Sequence, residues 1–110
     1  MDNVSLNTFV REYFNTLIRF TKNSITHDPG TTKAHRELVN AICMWLLDNN
    51  IDFYTRVHLK DGKIADIVAP ALPRPFIEIR HTELKKDKEY LDKYEKLITF
   101  VDTTDPFKLL

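Results

Sequence analysis

Apolar residues recur at every third or fourth position early in the chain. Leu6, Phe9, Val10, Tyr13, Phe14, Leu17 and Ile18 would line one side of an amphipathic helix. His27-Asp28-Pro29-Gly30 breaks that pattern. A second helical stripe follows Thr31 and Thr32, either of which can serve as N-cap. It comprises Ala34, Leu38, Ala41, Ile42, Trp45 and Leu46, and Asp48-Asn49-Asn50 ends it. The period then changes. Phe53 to Leu59 and Ile64 to Ala69 are β-rich runs on either side of Lys60-Asp61-Gly62-Lys63. An Asp-Gly pair between such runs predicts a hairpin with a two-residue type I′ turn. Pro70, Pro73 and Pro75 bound a loop, and Phe76 to Arg80 reads as a third strand. Leu84, Leu91 and Tyr94 space a polar helix from Thr82 to Lys96, and Leu97 to Val101 reads as a fourth strand. The order predicts an α/β fold. Its closing strand-helix-strand crossover makes the sheet mixed.

At 110 residues the chain has the size of a single domain, and no repeat or linker divides it. Sixteen basic residues balance sixteen acidic ones. That excludes a globally basic coat but leaves room for a local basic face. Cys43 is the one cysteine, so there is no internal disulfide and no thiolate zinc site. No apolar run reaches the roughly twenty residues of a membrane span, and Met1-Asp2-Asn3 carries no signal-peptide pattern. The expectation is a cytoplasmic protein without a membrane partner. Gly30 and Gly62 are isolated, which rules out a glycine-rich phosphate loop.

Charges interrupt the predicted strands. A two-residue turn at Asp61-Gly62 pairs Leu59 with Ile64 and Val57 with Asp66. Val57, Leu59, Ile64, Asp66 and Val68 then share one face, with Asp66 as a carboxylate among apolar neighbours. In the third strand Ile77 and Ile79 point one way, and Phe76, Glu78 and Arg80 the other. Two readings fit. In one, Glu78 and Arg80 pair with a neighbouring strand and Asp66 faces water. In the other, Asp66 and Glu78 converge with a main-chain carbonyl between them on a hard divalent cation, Mg²⁺ or Mn²⁺. With the second helical stripe centred near Leu38, Ile42 and Trp45, Glu37 lies at its edge, where it could lean over the strands; taken alone it reads as a solvated carboxylate.

Together these segments resemble the PD-(D/E)XK nuclease superfamily: Glu37 in Ala34-His35-Arg36-Glu37-Leu38-Val39, Asp66 in Ile64-Ala65-Asp66-Ile67-Val68-Ala69, and Glu78-Ile79-Arg80. The helix segment and the Asp-Ile-Val-Ala run are similar to archaeal Holliday-junction resolvases. The resemblance covers residues 31–101. It implies a restriction-endonuclease-like core (αβββαβ, a mixed four-stranded sheet flanked by helices), preceded by an extra N-terminal helix over residues 1–28 and followed by a tail over residues 102–110.

The resemblance also implies a metal-dependent endodeoxyribonuclease that hydrolyses DNA in repair, recombination or mobile-element processing, working as a homodimer. Asp66, Glu78 and the Ile79 backbone carbonyl would bind Mg²⁺ or Mn²⁺, with Glu37 direct or through water. Arg80 stands where the family usually has lysine. Arginine holds a phosphate bidentately but does not release its proton near neutral pH. Arg80 would therefore stabilise charge on the phosphorane rather than act as a base. The alternative is a nuclease-like DNA-binding or regulatory protein whose cleavage is impaired at Arg80. Lys63, Lys85, Lys86 and Lys88 are the candidate nucleic-acid contacts; a solvated face balanced by Glu83, Asp87 and Glu89 is the competing reading for the last three. His35 and His81 read as donors to phosphate or as local caps, Cys43 as a packed small hydrophobe, and Trp45 as core.

Overall fold

Thr32 starts the long helix α2 (Lys33–Asp48): its hydroxyl accepts from the His35 N–H at 3.1 Å. Arg36 ties the same turn down by donating to the Thr31 carbonyl. At the far end Asn50 takes φ 57°. The Asn50 and Ile51 amides then reach back to Leu47 O at 3.1 Å and Leu46 O at 2.9 Å, the two bonds of a Schellman stop. The computed structural model describes residues 3–80 and 96–102. Within them α1 spans Asn3–Tyr13, β1 Tyr54–His58, β2 Ile64–Val68, β3 Phe76–Arg80 and β4 Ile98–Asp102. The helix expected between β3 and β4 falls on residues outside the described ones.

The four strands form one mixed sheet in the order β1-β2-β3-β4, with the first two pairings antiparallel and β3 parallel to β4. Each sheet face carries its own apolar cluster. On one, Tyr54, Val68, Phe76 and Ile98 are covered by Leu6, Phe9, Val10 and Tyr13 of α1. On the other, Ile67, Ile77, Ile79 and Val101 meet Val39, Ile42, Cys43 and Leu46 of α2. A fully buried aliphatic side chain among them, such as Val68, Ile67, Ile77, Ile42 or Leu46, contributes about 1.5–3 kcal/mol. No helix among the described residues is long and apolar enough to cross a membrane.

Two expectations change. The first helix stops at Tyr13 rather than running on to Ile18, and Leu17 is 95% exposed. The chain here turns to pair with the hairpin. Asn15 N–H donates to His58 O at 2.8 Å, Lys60 N–H donates to Tyr13 O at 3.0 Å, and Phe14 bridges Leu59. Phe14 is thereby buried edge-on against Phe20 and Tyr54. That cluster supplies apolar contact a continued helix would have left in solvent.

The hairpin register is also shifted by one residue. Val57 pairs with Ala65, and His58 with Ile64. The loop has three residues, not two: Leu59 N–H bonds Lys63 O at 2.9 Å, and Gly62 N–H bonds Leu59 O at 3.1 Å. Gly62 alone in the loop has positive φ, 91°. This is the turn-plus-bulge solution to an Asp-Gly pair, whereas a type I′ turn needs positive φ at both central residues. Asp61 favours it by accepting the Lys63 N–H at 3.0 Å.

Candidate metal and phosphate site

The new register sets Arg56 across from Asp66, between the pairs Thr55↔Ile67 and Val57↔Ala65. Arg56 adopts φ 48°, a backbone conformation uncommon for a long side chain. The β2–β3 ladder is short as well, with only Ile67↔Ile77 and Val68↔Phe76 in register. At Asp66 and Glu78 side chains take over the bonding. Glu78 Oε1 accepts the Asp66 N–H at 3.1 Å, and Asp66 Oδ2 accepts the Ile79 N–H at 2.9 Å. The two carboxylates thus clasp each other's strands. Glu78 is completely buried and Asp66 is partly so. A buried carboxylate is costly unless hydrogen-bonded or paired, and this exchange supplies hydrogen bonds to both acids.

Helix α2 approaches the acids with His35. Its Nε2 lies 3.5 Å from Asp66 Oδ1. The buried face of α2 is Val39, Ile42, Cys43 and Leu46, one position round from the stripe expected at Leu38, Ala41 and Trp45; Ala41 is exposed. His35 lies one turn before Val39 and shares that face. Glu37 lies about 200° from Val39 around the helix axis, so it faces solvent. Its side chain is 66% exposed and lies 3.7 Å from the Lys33 amine. Among the candidate acids, then, Asp66 and Glu78 are brought together and Glu37 stands apart.

Arg80 Nε lies 3.9 Å from Asp102 Oδ2 on β4, and its guanidinium sits over the Phe100 ring at 5.5 Å from the centroid. This is the cross-strand partnership anticipated for Arg80 in the first of the two readings, whereas Glu78 Oε1 turns to the Asp66 main-chain amide. Lys63 closes the hairpin loop, with its amine 3.4 Å from Asp61. Lys85, Lys86 and Lys88 lie outside the described residues. Cys43 is buried and free, and desolvation pushes its thiol up to about 12. Trp45 is half-buried against the α2-side cluster.

His35 and Asp66 open onto a cavity of about 160 Å³, whose far wall includes Thr26, Asp28, Thr31 and Arg56. Thr55 secures that wall. Its hydroxyl donates to Ser24 O at 2.7 Å and accepts the Thr26 N–H at 2.9 Å. Arg56 lines the cavity and stands 3.5 Å from Asp28, which lines it as well. The donors suit a cation that keeps most of its own shell. Mg²⁺ is typically held by one or two carboxylates and completes its octahedron with water and phosphate oxygens. Among the described residues, no group of three or more His, Cys, Asp or Glu side chains encloses an ion by itself. Sequence reasoning read His35 as a phosphate donor or a local cap without placing it against Asp66, and it missed Arg56 here. The placement of His35 was hidden by a stripe taken one position off, and Arg56 by the register of the hairpin.

No protein-family model matches the chain, and searches of curated proteins and of solved structures return no significant match.

Proposed function

We propose that this chain is a metal-dependent endodeoxyribonuclease of the PD-(D/E)XK type, acting on DNA in repair, recombination or mobile-element processing. The observation that carries the reading is the clasp between Asp66 and Glu78 at the point where the β2–β3 ladder gives out. The mixed strand order, with β4 parallel to β3, agrees with the core of that superfamily. In this reading Asp66, Glu78 and the Ile79 carbonyl would hold Mg²⁺ or Mn²⁺, which would supply an acidified water and polarise the scissile phosphate. Arg80 in this reading contributes a fixed positive charge. Its guanidinium keeps its proton, so it binds and stabilises phosphate oxygens without serving as a base. Lys63, Lys85, Lys86 and Lys88 would extend the contact along the DNA backbone, and a homodimer would present two such sites to two strands.

The test is cleavage of supercoiled plasmid and branched DNA with Mg²⁺ or Mn²⁺ by the natural chain and by Asp66→Ala and Glu78→Ala. Both variants are expected to lose cleavage at least about a hundredfold, on the scale of removing a principal charge-stabilising group. Undiminished cleavage by both removes the assignment.

A second reading, a DNA-binding or regulatory protein that does not cut, is favoured by one observation. Arg80 is engaged by Asp102 and Phe100 where a catalytic lysine would be expected. Cleavage that appears only in Arg80→Lys selects this second reading.

A further inference from the structure

We infer that a single strand of DNA lies in a groove along the outer edge of β1, its phosphates held by Arg19, Arg56 and His58. This rests on the nuclease reading above for the identity of the ligand. It names the form of DNA that is gripped and the surface that grips it.

The groove is made by the way the chain covers the sheet edge. β1 is an outer strand, and the segment after α1 runs beside it, fastened at both ends. At one end the Asn15 N–H donates to His58 O at 2.8 Å. At the other the Asn23 N–H donates to Phe53 O at 2.7 Å, and Asn23 Oδ1 accepts the Phe53 N–H at 3.0 Å. Asn23 takes φ 58° in making this double clasp, a conformation asparagine tolerates. Between the fasteners, residues 16–22 make no main-chain bond to β1 among the described residues, and a cavity of about 430 Å³ opens there. That is within the range of ligand sites, about 300–1,000 Å³.

The charge in the groove has one sign. Arg19, Arg56 and His58 line it together with Thr21 and Ser24, and no carboxylate does. Acids and bases balance over the whole chain, so this is a local basic face within a neutral total. Phe20 adds an apolar wall, held edge-on by Phe14 and Tyr54. Cationic side chains beside an aromatic ring suit a single strand, with charge for the phosphates and the ring for a base or sugar. A duplex keeps its bases stacked inside and has nothing to offer a recessed ring.

Arg56 connects the groove to the acids. Arg56 and Thr26 line both this groove and the cavity that Asp66 lines. The φ of 48° at Arg56 accompanies a break in strand alternation: Tyr54 and Val57, three residues apart, pack in the same cluster. Backbone strain of this kind persists where surrounding bonds enforce it, and it gathers at ligand clamps. The Arg56–Asp28 pair has side chains 35% and 52% exposed. Such a pair is weak in water, so a phosphate can share the guanidinium. A strand gripped along the groove therefore leads toward Asp66.

The experiment is fluorescence anisotropy of a labelled oligothymidylate with the full chain in EDTA, so that binding is read without metal or cleavage. The natural chain is expected to bind it more tightly than a duplex of equal length. Arg19→Ala and Arg56→Gln should each weaken binding and lower the slope of log affinity against log salt by about 0.7, the share of one phosphate contact on a single strand. Arg11→Ala, on α1, should leave the slope unchanged. Arg19 is exposed on the connecting segment, so its variant decides the question even if Arg56→Gln does not fold. No binding, or slopes equal in the natural chain and Arg19→Ala, overturns the groove. Tighter binding of the duplex overturns the single-strand assignment. Either result leaves the nuclease reading standing if cleavage depends on Asp66. The expected binding without any Asp66-dependent cleavage keeps the groove and removes the nuclease reading.

Discussion

Glu78 and Asp66 are joined crosswise: the Glu78 carboxylate takes the amide of Asp66 at 3.1 Å, and the Asp66 carboxylate takes the amide of Ile79 at 2.9 Å. The acids proposed to do chemistry are therefore also the fasteners between β2 and β3. Glu78→Gln keeps an oxygen acceptor of nearly the same shape, whereas Glu78→Ala leaves the buried Asp66 amide without that acceptor. The alanine variant is expected to lose about 1–3 kcal/mol more stability than the glutamine variant, read from urea midpoints. Equal losses would mean that the clasp contributes nothing to the fold.

Gly62 tests the three-residue hairpin. It sits at φ 91°, and a methyl group there would meet nothing within 4 Å. Gly62→Ala therefore carries a backbone penalty with no steric one, expected to be about 1 kcal/mol. Gly62→Asn should lose less, because asparagine tolerates left-handed backbone better. A thermal scan in which alanine is harmless would argue for a different turn.

Thr32 links the stability of α2 to the site, since its hydroxyl caps the amide of His35. Thr32→Ala is expected to cost about 1 kcal/mol, a fall of about 4–8 °C in Tm for a domain of this size. Thr32→Ser, which keeps the hydroxyl, should stay close to the natural chain. Loss of the same size in both variants would point to the threonine methyl rather than the cap.

Cys43 sets an alkaline limit. Burial raises its thiol from a usual 9.0 to about 12, so the folded chain holds a proton that the unfolded chain releases. Tyr13 and Tyr54 are raised in the same sense, chiefly by burial. A group raised in the folded state supports the fold fully below its unfolded pKa and ceases to do so as pH climbs through its folded pKa. Stability should decline from pH 9 toward pH 12, with the thiol removing up to about 1.4 kcal/mol per unit. Urea melts at pH 8 and pH 10.5 should show a smaller decline in Cys43→Ala. The native thiol should also resist alkylation at pH 8 and react once the chain is unfolded.

Much of the architecture is written in local patterns. Phe76 to Arg80 has the bounds of β3, and Thr32 does cap α2. Both follow from interactions within a few residues. The mixed sheet follows from element order and crossover rules. What escaped was decided by small offsets or distant partners. Asp61-Gly62 supports two loop lengths, and choosing the longer one moves every hairpin pair by one position, bringing Arg56 opposite Asp66. Leu17 and Ile18 continue the helical spacing of α1, but Tyr13 and Asn15 give their main-chain groups to the hairpin instead. On α2, Ala34 and Ala41 looked like stripe positions and are exposed, while Val39 and Cys43 carry the contact. That rotation brings a histidine to Asp66 and turns Glu37 outward. Asp66 and Glu78 were legible because charge inside a strand has few structural uses. Their mutual clasp was not, since it depends on where the ladder ends.

Past the Ile67↔Ile77 and Val68↔Phe76 pairs, beside which Ala69 N–H donates to Pro75 O at 2.8 Å, side-chain oxygens assume the task of joining β2 to β3. Folding and any guest that seeks oxygen donors at this spot consequently draw on one shared supply of lone pairs. In the proposed metal-bound state, each lone pair that turned toward the ion would be withdrawn from the central seam, so the middle of the sheet would be least tightly sewn when that ion is held.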